Sequence, residues 1–179
     1  WWAKLERGEC CTRELYVGRF VDFLEETGLS GQPEILTQEY FRRMGQGGAL
    51  LPGALGFVER LSGKYDLYIV TNGNAVTQKT RLENSGLLRW IKGYFVSEDA
   101  GAAKPDPRYF DYVFSCLPHT ARESSLVIGD SLTSDIQGAV NAGIDSLYYH
   151  PDGPVACLGA PPYTYEAASY EEILGILGL

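Results

Sequence analysis

One pattern constrains this chain more than any other: short apolar runs that each end in polar residues and lead into a helix closed by glycine. Leu67-Tyr68-Ile69-Val70, Gly93-Tyr94-Phe95-Val96, Ser125-Leu126-Val127-Ile128 and Ser146-Leu147-Tyr148-Tyr149 read as strands. They are continuous rather than alternating, the pattern of strands buried on both faces. Between them, Ala75 to Ser85, Asp106 to Leu117 and Thr133 to Ala142 read as helices, two of them stopped by Gly86 and Gly143. Strands separated by helices imply an α/β fold with a parallel sheet and right-handed crossovers. A helix from Leu51 to about Ser62 precedes these strands, and a short one from about Tyr170 to Leu177 ends the chain. Pro151 to Pro162 reads as a surface loop.

The first part of the chain has a different texture. Leu15, Phe20, Phe23 and Leu24 recur at helical spacing, Gly28 ends that helix, and a second helix covers about Pro33 to Met44. Gly45-Gln46-Gly47-Gly48 then breaks the pattern. The expected organisation is therefore a helical unit over residues 1–50 and an α/β unit over residues 51–179. Trp1-Trp2-Ala3-Lys4 reads like the middle of a helix, which suggests a start inside a larger protein.

The net charge of -8, with no Lys/Arg run, argues against a nucleic-acid polymer as partner. It leaves room for a small phosphorylated ligand, because a metal and a few cations screen locally. Cys10, Cys11, Cys116 and Cys157 form no CxxC pair, so reduced thiols in a cytoplasmic protein are expected rather than a zinc site. No apolar run reaches transmembrane length, so no membrane partner is expected.

In an open α/β sheet, ligands bind beyond the carboxyl ends of the strands. Thr71-Asn72-Gly73 follows the first strand. A hydroxyl with free N–H groups at a helix start can hold a phosphate, although a plain strand-to-helix turn looks the same. Lys104, before Pro105, is either a cation for a phosphoryl oxygen or a solvated loop lysine. Asp130 directly follows a strand and Asp135 starts the next helix. Two such acids repel unless a cation lies between them, and Mg²⁺ is the natural one. The simpler use for both is to cap that helix, a task open also to Ser131, Thr133 and Ser134.

The order and context of these segments carry more than any one of them. LYIVTNGNAVTQKTRL (Leu67–Leu82), SEDAGAAKPDPRY (Ser97–Tyr109) and SLVIGDSLTSDIQGAVNAG (Ser125–Gly143) resemble motifs two, three and four of the haloacid dehalogenase-like hydrolase superfamily. The TNG…Q…RL and GDSLTSDI…NAGI forms look most like its pyrimidine 5'-nucleotidase branch, and Trp2–Phe20 looks like part of that branch's helical cap. The resemblance implies a Rossmann-like parallel core with a partial helical cap. It also implies a Mg²⁺-dependent phosphomonoester hydrolase acting on a nucleoside monophosphate, as monomer or homodimer.

By the same resemblance, Thr71, Asn72 and Gly73 bind the phosphoryl group, Lys104 stabilises its charge, and Asp130 and Asp135 hold Mg²⁺. Trp1, Trp2 and Tyr16 are candidates to stack on a base, with packing in the cap as their plainer use. The family's catalytic pair is a DxD on a first, central strand, whose leading Asp forms an aspartyl-phosphate; no DxD occurs here. A buried central strand contributes about five apolar side chains at about 1.5–3 kcal/mol each. That rivals a whole domain's stability of about 5–15 kcal/mol. A chain that lacks its first, central strand, as this one is expected to, should accordingly be unstable and inactive. The alternatives are a sugar-phosphate or acylneuraminate phosphatase, a metal-free 2-haloacid dehalogenase, and, in another class, a non-catalytic binding module.

Overall fold

The computed structural model describes residues 1–155 and 159–179. Three helices come first: α1 (Trp2–Glu6), α2 (Thr12–Thr27) and α3 (Pro33–Gln46). The Glu14 carboxylate accepts the N–H of Cys11 at 2.8 Å at the start of α2, and Gly28 closes that helix in the left-handed region at φ 67°. Pro33 opens α3, where a missing N–H costs nothing. The pair is held by the Thr37 hydroxyl, which donates to the Tyr16 carbonyl at 3.1 Å, and by the edge-on rings of Tyr16 and Phe41.

The α/β part runs α4 (Ala54–Ser62), β1 (Tyr68–Thr71), α5 (Ala75–Ser85), β2 (Gly93–Val96), α6 (Ser97–Ala100), α7 (Pro107–Cys116), β3 (Leu126–Gly129), α8 (Gln137–Ala142), β4 (Asp145–Tyr149), β5 (Tyr165–Ala167) and α9 (Tyr170–Ile176). All strand pairings are parallel. The strands form two groups rather than one continuous sheet: β1 pairs with β2, and β4 lies between β3 and β5. Among the described residues, β1 and β3 share no ladder, and side chains join the two groups instead.

The main core lies under this junction. Tyr109, Phe110 and Val113 of α7 pack with Val127 of β3, Ala139 and Ala142 of α8, and Ile144, with Val70 and Phe95 packed against them. A second cluster of Leu147, Ala167 and Ile173 ties α9 to β4 and β5. Helix α3 meets α5 where the Asn84 amide donates to the Gly45 carbonyl at 3.3 Å.

Three elements depart from expectation, one of them the one-turn helix α6, which the sequence reading does not include. Strand β5 was not anticipated; its three residues gain their place only by pairing with β4. The helix expected over Thr133 to Ala142 begins as a wider π-type turn, Leu132–Ile136, in which the Ser131 carbonyl accepts from both Asp135 and Ile136. Residues 156–158, which include Cys157 and part of the expected surface loop, lie outside the described residues; Cys10, Cys11 and Cys116 are free thiols. No described helix is long and apolar enough to cross a membrane.

Candidate active site

The site assembles at the carboxyl ends of β1 and β3, where the chain turns from strand into helix. Thr71 is the last residue of β1. Its N–H donates to the Tyr109 hydroxyl at 2.9 Å, and that hydroxyl donates to the Phe95 carbonyl on β2 at 2.8 Å. Tyr109 is 0% exposed, and burial pushes its phenol well above the ordinary range, so it is a neutral strut. The Thr71 hydroxyl oxygen accepts from the Gly73 N–H and from the Gln78 amide, each at 3.2 Å, which leaves its own proton free for a ligand. Gly73 lies so close to the Gln78 side chain that a Cβ would collide with it.

Lys104 is 4% exposed, so it is not the solvated loop lysine that its sequence context allowed. Asn72 fixes its backbone on both sides: the Asn72 amide donates to the Lys104 carbonyl at 2.8 Å, and the Lys104 N–H donates to Asn72 Oδ1 at 2.8 Å. The Lys104 ammonium donates to the Val70 carbonyl at 2.9 Å and to Asp135 Oδ1 at 2.6 Å. An ammonium has three protons, so one remains for a bound anion.

Asp135 is held from the other side, where its Oδ2 accepts the N–H of Ser131 at 3.2 Å. The wide turn swings this carboxylate back against Gly129, where any Cβ would overlap it. The Ser131 hydroxyl caps the turn by accepting from Ser134. Asp130 is exposed between Gly129 and Ser131, and among the described residues it makes no hydrogen bond or ion pair. The chain thus brings Thr71, Asn72, Gly73, Lys104 and Asp135 into one network, with Asp130 at its open edge. Neither acid is the simple helix cap that the sequence allowed.

The sequence singles out Asn72 as a phosphate-binding residue, and in the structure its side chain clamps Lys104. Other contributors are not singled out from the sequence: Gln78 aims the threonine, and Tyr109 braces the strand end. Glu98 accepts from Asn74 Nδ2 at 3.1 Å and from the Ala75 N–H at 2.9 Å, fixing the start of α5. Only the position of Gln78 on the first turns of α5 carried a sequence signal for these roles.

A family model for haloacid dehalogenase-like hydrolases matches residues 6–143. The chain belongs to that family. This hydrolase is 40% identical over 178 residues to the HAD-hydrolase YfnB of Bacillus subtilis, a match covering 99% of this chain and 75% of the relative. It is 36% identical to the pyrimidine 5'-nucleotidase PynA of Streptococcus pneumoniae, covering 98% and 74%. To the pyrimidine 5'-nucleotidase YjjG of Escherichia coli it is 31% identical, covering 91% and 72%. The crystal structure of YfnB bound to magnesium superposes with a TM-score of 0.91, over 99% of this chain and 77% of that one.

A Mg²⁺ ion would meet two unequal carboxylates here. Asp130 offers an unpaired, solvent-facing carboxylate at a strand end, whereas both oxygens of Asp135 are already engaged. Mg²⁺ retains several waters and needs only one or two protein carboxylates. Asp130 would therefore hold the ion directly, and Asp135, engaged by Lys104 and Ser131, would add negative charge nearby.

Proposed function

We propose that this hydrolase is a Mg²⁺-dependent phosphomonoesterase whose substrates are pyrimidine nucleoside 5'-monophosphates. The observation that carries the reading is the buried Lys104 ammonium, fixed by Asn72, Val70 and Asp135 beside a threonine whose proton is unclaimed. A dianionic phosphate is the ligand that satisfies both. Thr71 donates to one phosphoryl oxygen, and Lys104 offsets charge on another in a partly water-excluded mouth. Mg²⁺ at Asp130 would supply further electrostatic stabilisation of phosphoryl oxygens. The nucleotidase part of the reading is supported by the likeness to PynA and YjjG.

The attacking carboxylate implied by the family has no counterpart at a DxD in these 179 residues. The reading therefore assigns phosphate and metal binding to the residues described. It is tested by measuring phosphate release by the protein produced from its full coding frame, with Mg²⁺ and with EDTA. Uridine 5'-monophosphate is expected to outperform sugar phosphates, and Lys104→Met to lower kcat/KM by about a hundredfold or more. Metal-independent chloride release from a 2-chloroacid, with no phosphate release, would overturn it.

A further inference from the structure

A cavity of about 220 Å³ opens beside the Thr71-Asn72-Gly73 turn, and its far wall is formed by the first helices, with Trp2, Tyr16 and Arg19 among the lining residues. Arg19 is unusual there. Its guanidinium carbon sits over Tyr40 at 4.4 Å, Phe20 at 5.2 Å and Phe41 at 5.6 Å, yet no carboxylate pairs with it among the described residues. Its Nε and Nη2 are buried without an acceptor, and so is the hydroxyl of Tyr16, a residue only 8% exposed. Buried donors are normally matched, and each one left without an acceptor is destabilising. Aromatic faces compensate the charge of Arg19 but not its N–H directions.

Resting on the phosphatase reading above, we propose that Arg19 and Tyr16 are specificity-determining residues that read the carbonyl oxygens of a uracil-type base in this cavity. The phosphate turn anchors one end of the substrate. The arginine fork supplies only donors, so the other end must bring acceptors. Trp2, 46% exposed at the cavity wall, offers a face for a planar ring. Burial, with a smaller push from the Glu98 charge that Arg19 opposes, raises the Tyr16 phenol to about 12, so it is a neutral group that can both donate and accept. Uracil presents two carbonyls, with an N–H that the phenol oxygen can accept. The amino group of cytosine would meet the donors of Arg19.

The test is titration calorimetry of the protein from its full coding frame with uridine 5'-monophosphate, cytidine 5'-monophosphate and ribose 5-phosphate. EDTA is included so that no metal-dependent turnover intervenes. The uridine nucleotide is expected to bind at least about tenfold tighter than ribose 5-phosphate. Arg19→Met should bring that ratio close to one, and Tyr16→Phe should shrink the uridine-to-cytidine ratio. Should Arg19→Met lose its melting transition, Arg19→Lys, which keeps charge but not the planar fork, is expected to lower the ratio at least about threefold. Ratios unmoved by these variants, or a wild-type protein that binds uridine 5'-monophosphate and ribose 5-phosphate equally, overturn the subsite while phosphate release still stands. Intact ratios without phosphate release from any monoester sink the phosphatase reading instead.

Discussion

The phenol of Tyr109 shows how one residue couples the core to the site, since it joins the end of β1 to β2 while burial keeps it neutral. Tyr109→Phe removes the acceptor for Thr71 and the donor to Phe95. The change should cost about 1–3 kcal/mol, read as a lower denaturant midpoint. The pH dependence follows in sign. A tyrosine whose pKa is raised on folding contributes stability that is present below its unfolded value and lost as pH rises through the folded one. Melting temperature should therefore fall above about pH 10, and less steeply in the Phe variant. An identical slope in both proteins would contradict this account. Lys104 teaches the complementary lesson: as a lone residue in a loop it is unreadable, because its backbone is held by Asn72, 32 positions away, and its ammonium by Asp135, 31 positions away.

At the scale of elements, the helices were largely legible because their ends carry local chemistry. Helix α5 is a clear case, with Asn74 accepting from the Thr77 N–H at 3.1 Å and Gly86 at φ 75° closing it. Asn74→Ala should lower stability by about 1 kcal/mol by thermal unfolding, and Asn74→Ser, which keeps a capping oxygen without setting a second carboxylate against Glu98, should restore most of it. An alanine variant as stable as wild type would mean that Glu98 alone anchors this helix start. Strand β5 and the wide turn at Leu132–Ile136 were not legible. The strand depends on a partner distant in sequence, and the turn depends on one carbonyl accepting two N–H groups.

For the molecule as a whole, the proposed ion site makes folding and ligand binding one equilibrium. Mg²⁺ at about a hundred times its dissociation constant should stabilise the protein by about 2.7 kcal/mol, seen as a rise in melting temperature. Asp130→Asn should abolish the rise, and a persistent shift in that variant would move the ion elsewhere. The sequence by itself determined the α/β class, the helix ends and the order of the polar strand ends, because periodicity and capping are local properties of the chain. Tertiary structure alone decided that Asp135 faces Lys104 rather than capping a helix, that Asn72 acts as a clamp, and that Arg19 comes to rest beside the Thr71 turn. Each of those outcomes depends on which groups lose water together, and that is settled only when distant segments pack.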